Sequence, residues 1–362
     1  MNEFGLGLEL IKYINTLGYE AYLVGGCVRD YLLNIPSNDI DITTSMPIDE
    51  IKAHFTTIDN GSSYYSLTII YHNISFEITH FRKDLRYLDN RHPEVIYADT
   101  LIEDAERRDF TINALALNHD KKIYDYFEGL SDLKNKIIRT INDPNERFQE
   151  DSLRILRGLY FSSKLNFDIE NNTLNAMIEN RHLLKNLSNE RIYDYFIKLV
   201  YANTNKGINY IINNNIFEYI EEYKAWLLVS SNRYSIDSLK YLYTLNYLKY
   251  PPMINKKEKR LCDILIQLIE NNYSNYYLYL YQNELINFKE ILNDYYDLKN
   301  RIISFPIKKD NDLAISKEEI TSHFLGANKS LMIKKIITKI LNNELDNTQE
   351  DINRYIREIS YE

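Results

Sequence analysis

The chain has 362 residues and a formal net charge of −9, enough length for two or more domains and a sizeable core. No apolar run approaches the ~18 residues of a membrane span, and the start MNEFGLGLELIKYI lacks the basic n-region and cleavage site of a signal peptide. Cys27 and Cys262 have no metal-ligand spacing and imply no disulfide framework, so a cytoplasmic location is expected. The charge argues at first against a nucleic-acid partner, but it is unevenly spread. Residues 1–130 hold 11 Lys+Arg against 21 Asp+Glu, and the remainder holds 32 against 31. The later part is free to present basic patches, such as Lys256, Lys257, Lys259 and Arg260, or Lys334, Lys335 and Lys339. Such patches also read as solvated helix faces.

In chain order, LGLELIKYINTL (6–17) has helical periodicity, with Leu10, Ile11, Ile14 and Leu17 along one side. AYLV (21–24) reads as a strand and runs into Gly25 and Gly26. A short helical pattern follows, with Val28, Leu32 and Leu33 on one face and Arg29 and Asp30 on the other. DIDITT (39–44) reads as a strand carrying Asp39 and Asp41 at i, i+2, which would send both carboxylates off one face. MPIDEIKAHF (46–55) is a helix with Pro47 in its first turn. LTIIYHN and ISFEITHF (67–81) are strands; alternation puts Glu77 and Thr79 opposite Phe76 and Ile78. RRDFTINALAL (107–117) reads as an amphipathic helix packed through Ile112, Ala116 and Leu117, with Asp109 as its N-cap or as an arginine's partner. From about residue 145 long helical periodicities take over, as in SLRILRGLYFSSKL, RIYDYFIKLVYA and SLMIKKIITKILNNEL. Pro251–Pro252 marks a loop and Phe305–Pro306 a candidate boundary. The expected fold class is α+β, a compact head followed by an all-helical remainder.

Four segments could carry chemistry. The Gly25–Gly26 pair at a strand-to-helix turn lets backbone N–H groups approach a phosphate, with Arg29 within reach of the same group; alone it also reads as a tight turn. Asp39 and Asp41 repel each other unless a cation or a hydrogen-bond network lies between them, and hard divalent cations favour such oxygens. Glu77 is either a third carboxylate near them or a solvent-facing strand residue. Arg108 either clamps phosphates, to which a guanidinium is matched in bidentate fashion, or is a solvated arginine beside a capped helix. Asp151, Arg154 and Arg157 fall at i, i+3 and i+6, close to one helical face, as a surface ion pair would. A carboxylate beside a guanidinium also imitates the pairing edge of a base. Asp151 would accept from the exocyclic amine of cytosine or adenine, and Arg154 would donate to the ring nitrogen. Guanine and uracil would meet like against like.

LVGGCVRDYLL…NDIDITTS, ERRDFTINALAL and RFQEDSLRILR, in this order, resemble the class II CCA-adding tRNA nucleotidyltransferases, a superfamily that includes bacterial poly(A) polymerases. The resemblance implies a nucleotidyltransferase head with a small mixed sheet (1–140), then an all-α neck that recognises the base (141–205), body (206–300) and tRNA-binding tail (301–362). It implies addition of the 3′-terminal CCA to tRNA from CTP and ATP, with Asp39 and Asp41 holding two Mg²⁺ ions. Gly26, Arg29 and Arg108 match nucleotide contacts, Asp151 and Arg154 the base-reading pair, and Arg157 a further nucleotide contact. The implied partners are the acceptor arm of tRNA and the two nucleotides, with no membrane. Segment 82–106 resembles the flexible loop of enzymes that switch from CTP to ATP, and FPIKKDNDLAISKEEI resembles the tail of the shorter bacterial enzymes. Two positions depart from the pattern: Tyr160, where many members have arginine, and Tyr195, where a neck motif ends in glutamate. No His-Asp hydrolase signature follows the neck. A poly(A) polymerase, an enzyme adding only CC or only A, and a non-catalytic RNA-binding protein on the same scaffold are the alternatives.

Overall fold

The computed structural model describes residues 3–37, 39–58, 66–87, 93–229, 235–247, 249–324 and 328–359. The chain forms two compact units, Met1–Lys224 and Ala225–Glu362.

The first unit opens with helix α1 (Glu3–Thr16), which buries Leu10, Ile11 and Ile14 as the periodicity requires. The strands follow: β1 (Ala21–Val24), β2 (Asp41–Thr44), β3 (Thr56–Ile58), β4 (Ser66–Tyr71), β5 (Ile74–His80), β6 (Arg82–Tyr87), β7 (Pro93–Tyr97), β8 (Ala116–Leu117) and β9 (Ile123–Tyr124). Among the described residues, seven of them make one sheet in the order β3-β4-β5-β2-β1-β8-β9. The β2–β5 pair is parallel and β1–β2 antiparallel, so the sheet is mixed. Helices α2 (Gly26–Leu32) and α3 (Ile48–His54) join the first strands. Leu23, Ile42, Phe76 and Ile78 pack with α1 and Val28 in one apolar core. Strand alternation turns Asp41 and Glu77 away from that core.

Two expectations about the head need correction. Asp39 lies before β2, in irregular chain, so the two aspartates are not on one strand. Residues 107–117 are not a helix. A single 3₁₀ turn (Thr111–Asn113) is followed by β8, which pairs with β1. Lateral bonds hold this stretch open: Thr111 N–H donates to the Arg139 carbonyl at 2.9 Å, and Phe110 bridges Thr140. Ile112, Ala116 and Leu117 are nonetheless buried, as expected. The segment 82–106 contains the hairpin β6–β7 and helix α4 (Leu101–Glu106); its centre, 88–92, lies outside the described residues.

Beyond the sheet come α5 (Gly129–Asn135), β10 (Ile137–Ile138), α6 (Pro144–Glu150), α7 (Leu153–Leu165), β11 (Asp168–Ile169), α8 (Asn171–Glu179), α9 (Asn189–Val200) and α10 (Lys206–Asn213). Strand β11, which pairs in parallel with β10 of the head, interrupts the stretch after residue 145 whose periodicity predicts helix alone. A Cβ on Gly207 would sit 2.1 Å from the Leu159 carbonyl oxygen, so glycine is what lets α10 approach α7.

The second unit is helical among its described residues. Its longest helix, Lys256–Glu270, starts in a capping box of Asn255 and Glu258. Leu265, Leu268, Phe288, Phe305, Ile336 and Ile352 share one core, which joins residues from both sides of Phe305–Pro306. No helix among the described residues is long and apolar enough to cross a membrane.

Candidate active site

The end of β1 carries Gly25 at φ +74°, a left-handed conformation that glycine adopts without penalty. Space there is tight as well. A Cβ there would lie 3.1 Å from Arg108 Nη1 and 3.5 Å from Asp41 Oδ2. One turn on, Arg29 is 2% exposed. Its Nε donates to Asp30 Oδ1 at 2.8 Å and its Nη1 to Asn113 Oδ1 at 2.6 Å. Cys27, beside it, donates to the Val24 carbonyl. Burial pushes its thiol up to about 11, which makes it a poor nucleophile.

Asp41 opens β2 and stands in register with Glu77 on the neighbouring parallel strand. Burial, and then the charges of Glu77 and Asp39, push its carboxyl up to about 6 against the opposing pull of Arg108. Glu77 is exposed and accepts from Ser66 Oγ at 2.8 Å. Among the described residues no group of three or more His, Cys, Asp or Glu side chains is arranged to hold a metal ion. Asp39 and Asp41 supply two carboxylates to the cavity, and one or two carboxylates are what Mg²⁺ takes from a protein when substrate phosphates supply further oxygens. Burial first, and then neighbouring negative charge, press on Asp41; a cation relieves both, so the donor set fits such an ion.

Facing the aspartates is Arg108. Asp104, fully buried on α4, holds both neighbouring arginines: Oδ1 accepts from Arg107 Nη2 at 2.9 Å and Oδ2 from Arg108 Nη2 at 3.0 Å. Burial alone would raise this carboxyl; the two guanidiniums outweigh it and hold it at about 2. Asp109 is no N-cap. Its Oδ1 accepts from Phe110 N–H and Asn113 Nδ2, and its Oδ2 from Arg157 Nε at 2.6 Å. It is the arginine partner that the sequence offered as the alternative. Burial works against its charge, but Arg157 and the Asn113 bond keep the carboxyl below its ordinary range.

Pro144 starts α6 behind the N-cap Asp143, and the helix ends at Glu150. Asp151 then takes an extended conformation, φ −147° and ψ 101°, before α7 begins. It therefore stands in a break between helices, not on the face of one. Its Oδ1 accepts from Leu153 N–H at 3.0 Å, while burial pushes the carboxyl up against that bond and the Arg154 charge. Arg154 Nη1 donates to Glu150 Oε2 at 2.6 Å and to the Arg147 carbonyl at 2.8 Å. Arg147 in turn donates to the carbonyls of Arg107 and Arg108, at 2.7 and 2.8 Å. The break between α6 and α7 is thus tied to the arginine pair by buried and part-buried bonds.

These pieces enclose a cavity of about 580 Å³, within the range of small-ligand sites. Gly26, Arg29, Asp39, Asp41, Arg108, Asp151, Arg154 and Arg157 all line it. Glu77 is not among the lining residues, although it sits beside Asp41. Tyr160 does not line it either; its ring packs edge-on against Tyr195, 6.1 Å between centroids, so the two departures from the family pattern meet. Sequence reading missed Arg82, Asp84, Asn113, Phe161 and Lys164, which also line the cavity. Phe161 and Lys164 could have been found, since 154, 157, 161 and 164 form one helical stripe. Asn113 could not, because its segment was expected to be helical.

The family described as Poly A polymerase head domain matches residues 21–139. The family described as Probable RNA and SrmB-binding site of polymerase A matches 166–227. A CCA-adding enzyme of Staphylococcus epidermidis is 33% identical over 388 aligned positions, covering 96% of this chain and 96% of the relative. One from Lactobacillus helveticus is 30% identical and covers 97% of this chain and 96% of the relative. Among solved structures, the Bacillus stearothermophilus CCA-adding enzyme in complex with CTP superposes with a TM-score of 0.69 at 26% identity, over 100% of this chain and 98% of that one. A Thermotoga maritima CCA-adding enzyme complexed with tRNA has a TM-score of 0.62 at 17% identity, over 99% of this chain and 96% of that one, a likeness of fold.

Proposed function

The chain belongs to the CCA-adding enzyme family, and from that premise we propose how its own residues add C, C and A to the 3′ end of tRNA without a nucleic-acid template. In each cycle the terminal 3′-hydroxyl loses its proton, in net to solvent, and its oxygen bonds to the α-phosphorus of CTP or ATP. The α–β phosphoanhydride bond breaks, and pyrophosphate leaves with its electron pair. The observation that carries the reading is the convergence of eight residues, drawn from three distant segments, on one cavity.

Arg29, Arg108 and Arg157 oppose the charge of the triphosphate. Their carboxylate anchors, Asp30, Asp104 and Asp109, hold them in place before substrate arrives, which lowers the reorganisation needed at the moment of reaction. Gly25 and Gly26 keep the backbone close enough for the phosphates to reach Arg108. Asp39 and Asp41 would hold two Mg²⁺ ions. When bound, such ions supply an acidified hydroxyl and a neutralised leaving group. Glu77 supports that platform from the adjacent strand by keeping negative charge beside Asp41.

Asp151 and Arg154 read the base. The carboxylate accepts from the exocyclic amine of cytosine or adenine, and the guanidinium donates to the ring acceptors. A guanine or uracil edge would leave buried polar groups unpaired, which costs about 1–3 kcal/mol for each one. We assign the division of labour as head 1–140, neck 141–205, body 206–300 and tail 301–362, with the acceptor arm of tRNA held by the helical part. A reducing cytoplasm suits the two free, buried cysteines.

The test is direct. The protein is incubated with tRNAs ending before C, CC and CCA, each with CTP, ATP or both, and the 3′ ends are read. Completion of CCA and no further growth is expected. Continued A addition would make it a poly(A) polymerase, arrest after CC or addition of A alone a partial enzyme, and no incorporation would overturn the reading.

A further inference from the structure

Arg29 and Arg157 approach the same cavity from different parts of the chain, one on α2 of the head and one on α7. They carry like charge, and one ring serves both. The Arg29 Cζ lies 5.1 Å from the Phe161 ring centre and the Arg157 Cζ 5.6 Å from it, each within cation–π range. Phe161 is 9% exposed and packs edge-on against the fully buried Phe110, so the ring is fixed from behind. Tyr195 adds a polar contact: its hydroxyl accepts from Arg157 Nη1 at 3.3 Å. Tyr160 closes the cluster, 5.6 Å from Phe161 and 6.1 Å from Tyr195 between centroids.

An aromatic face can hold a guanidinium in plane without accepting its N–H groups, which a carboxylate or carbonyl would do. Asp30 and Asp109 already neutralise the two arginines from the side. The ring therefore sets orientation and leaves the remaining donor capacity for an anion.

We propose that Phe161, supported by Tyr195 and Tyr160, is an aromatic seat that positions Arg29 and Arg157 together against the incoming nucleotide. These are positioning residues, and the proposal rests on the nucleotidyl-transfer reading above. Because one ring serves both arginines, its loss weakens CTP and ATP binding alike.

The experiment is steady-state kinetics of CTP and ATP addition to tRNAs ending before the last C and before A, on wild type, Phe161→Leu, Phe161→Tyr and Tyr195→Phe, with melting temperatures measured in parallel. Phe161→Leu should raise KM for both nucleotides about tenfold, equivalent to about 1.4 kcal/mol, with kcat within about threefold of wild type. Phe161→Tyr, which keeps the π face, should restore most of the KM. Tyr195→Phe should raise KM about threefold, through loss of the hydroxyl contact alone. If wild type adds nucleotides and Phe161→Leu leaves both KM values unchanged, or lowers kcat alone, or Phe161→Tyr fails to restore KM while folded, the seat is overturned and the activity stands. If Phe161→Leu does not fold, unchanged KM in Tyr195→Phe overturns it. A wild type that adds nothing overturns both readings.

Discussion

Replacing Asp104 with asparagine tests whether the arginine pair is held in place by one buried charge. Asp104 is fully buried and receives Arg107 on one oxygen and Arg108 on the other. The carboxyl ordinarily titrates at 3.8 and is held at about 2 here. Its folded value is depressed, so the unfolded chain binds more protons in between, and the stabilisation is fully present above the unfolded value. It is lost as pH falls through the folded value. Nearly two units correspond to about 2 kcal/mol at neutral pH, at roughly 1.4 kcal/mol per unit, and about half of that remains at pH 3. Both arginine side chains are only 16% exposed, so little of this is screened away by solvent. The assay is amide hydrogen exchange in the strands Asp41–Thr44 and Ile74–His80, which reports the first unit directly, whereas the single tryptophan, Trp226, lies in the second. In Asp104→Asn the slowest of these amides should exchange about 30-fold faster at neutral pH and about fivefold faster at pH 3. Equal acceleration at both pH values would show that packing, not charge, accounts for the loss, and no acceleration would refute the anchor.

Three further outcomes follow from the site. The double change Asp39→Ala, Asp41→Ala should cut incorporation about a thousandfold or more, measured with labelled CTP, while gel-shift affinity for tRNA stays within a few-fold; retained activity would remove the metal platform. Asp151→Ala should let GTP and UTP compete with CTP, read as misincorporated 3′ ends, and unchanged selectivity would defeat the base-reading pair. Gly25→Ala combines a positive φ with a Cβ 3.1 Å from Arg108 Nη1. About 1–2 kcal/mol of strain is expected, seen as a melting temperature lower by several degrees and a raised KM for both nucleotides; a wild-type profile would mean the loop relaxes freely.

How much of this was legible in the sequence depended on whether the signal was chemical or geometric. Residue type survived where element assignment failed. The i, i+2 spacing of Asp39 and Asp41 predicts one strand face for both, yet only Asp41 is in the strand; both line the cavity because the chain enters β2 there. The spacing of Asp151 and Arg154 predicts one helix face, and instead a break after Glu150 frees Asp151 to present its carboxylate beside α7. The apolar pattern of 112–117 identified its buried residues correctly, but six positions cannot distinguish a helical turn from a short strand, and only the pairing of Ala116–Leu117 with β1, more than ninety residues earlier in the chain, decides it. The same physics lies behind each miss. A side chain that must meet a ligand does best at the end of an element, where backbone periodicity stops and the carbonyls and N–H groups of neighbouring segments become available. Periodicity is therefore least informative exactly where chemistry is densest, while like-charge clustering, which costs energy unless something relieves it, still points there. The carboxyl of Asp41, lifted to about 6 by burial, Glu77 and Asp39, is the physical form of that signal. The closeness of Asp39 and Asp41 to the glycine turn is legible in the sequence; the burial of Asp41 and its register with Glu77 are not, because they depend on which strands pair.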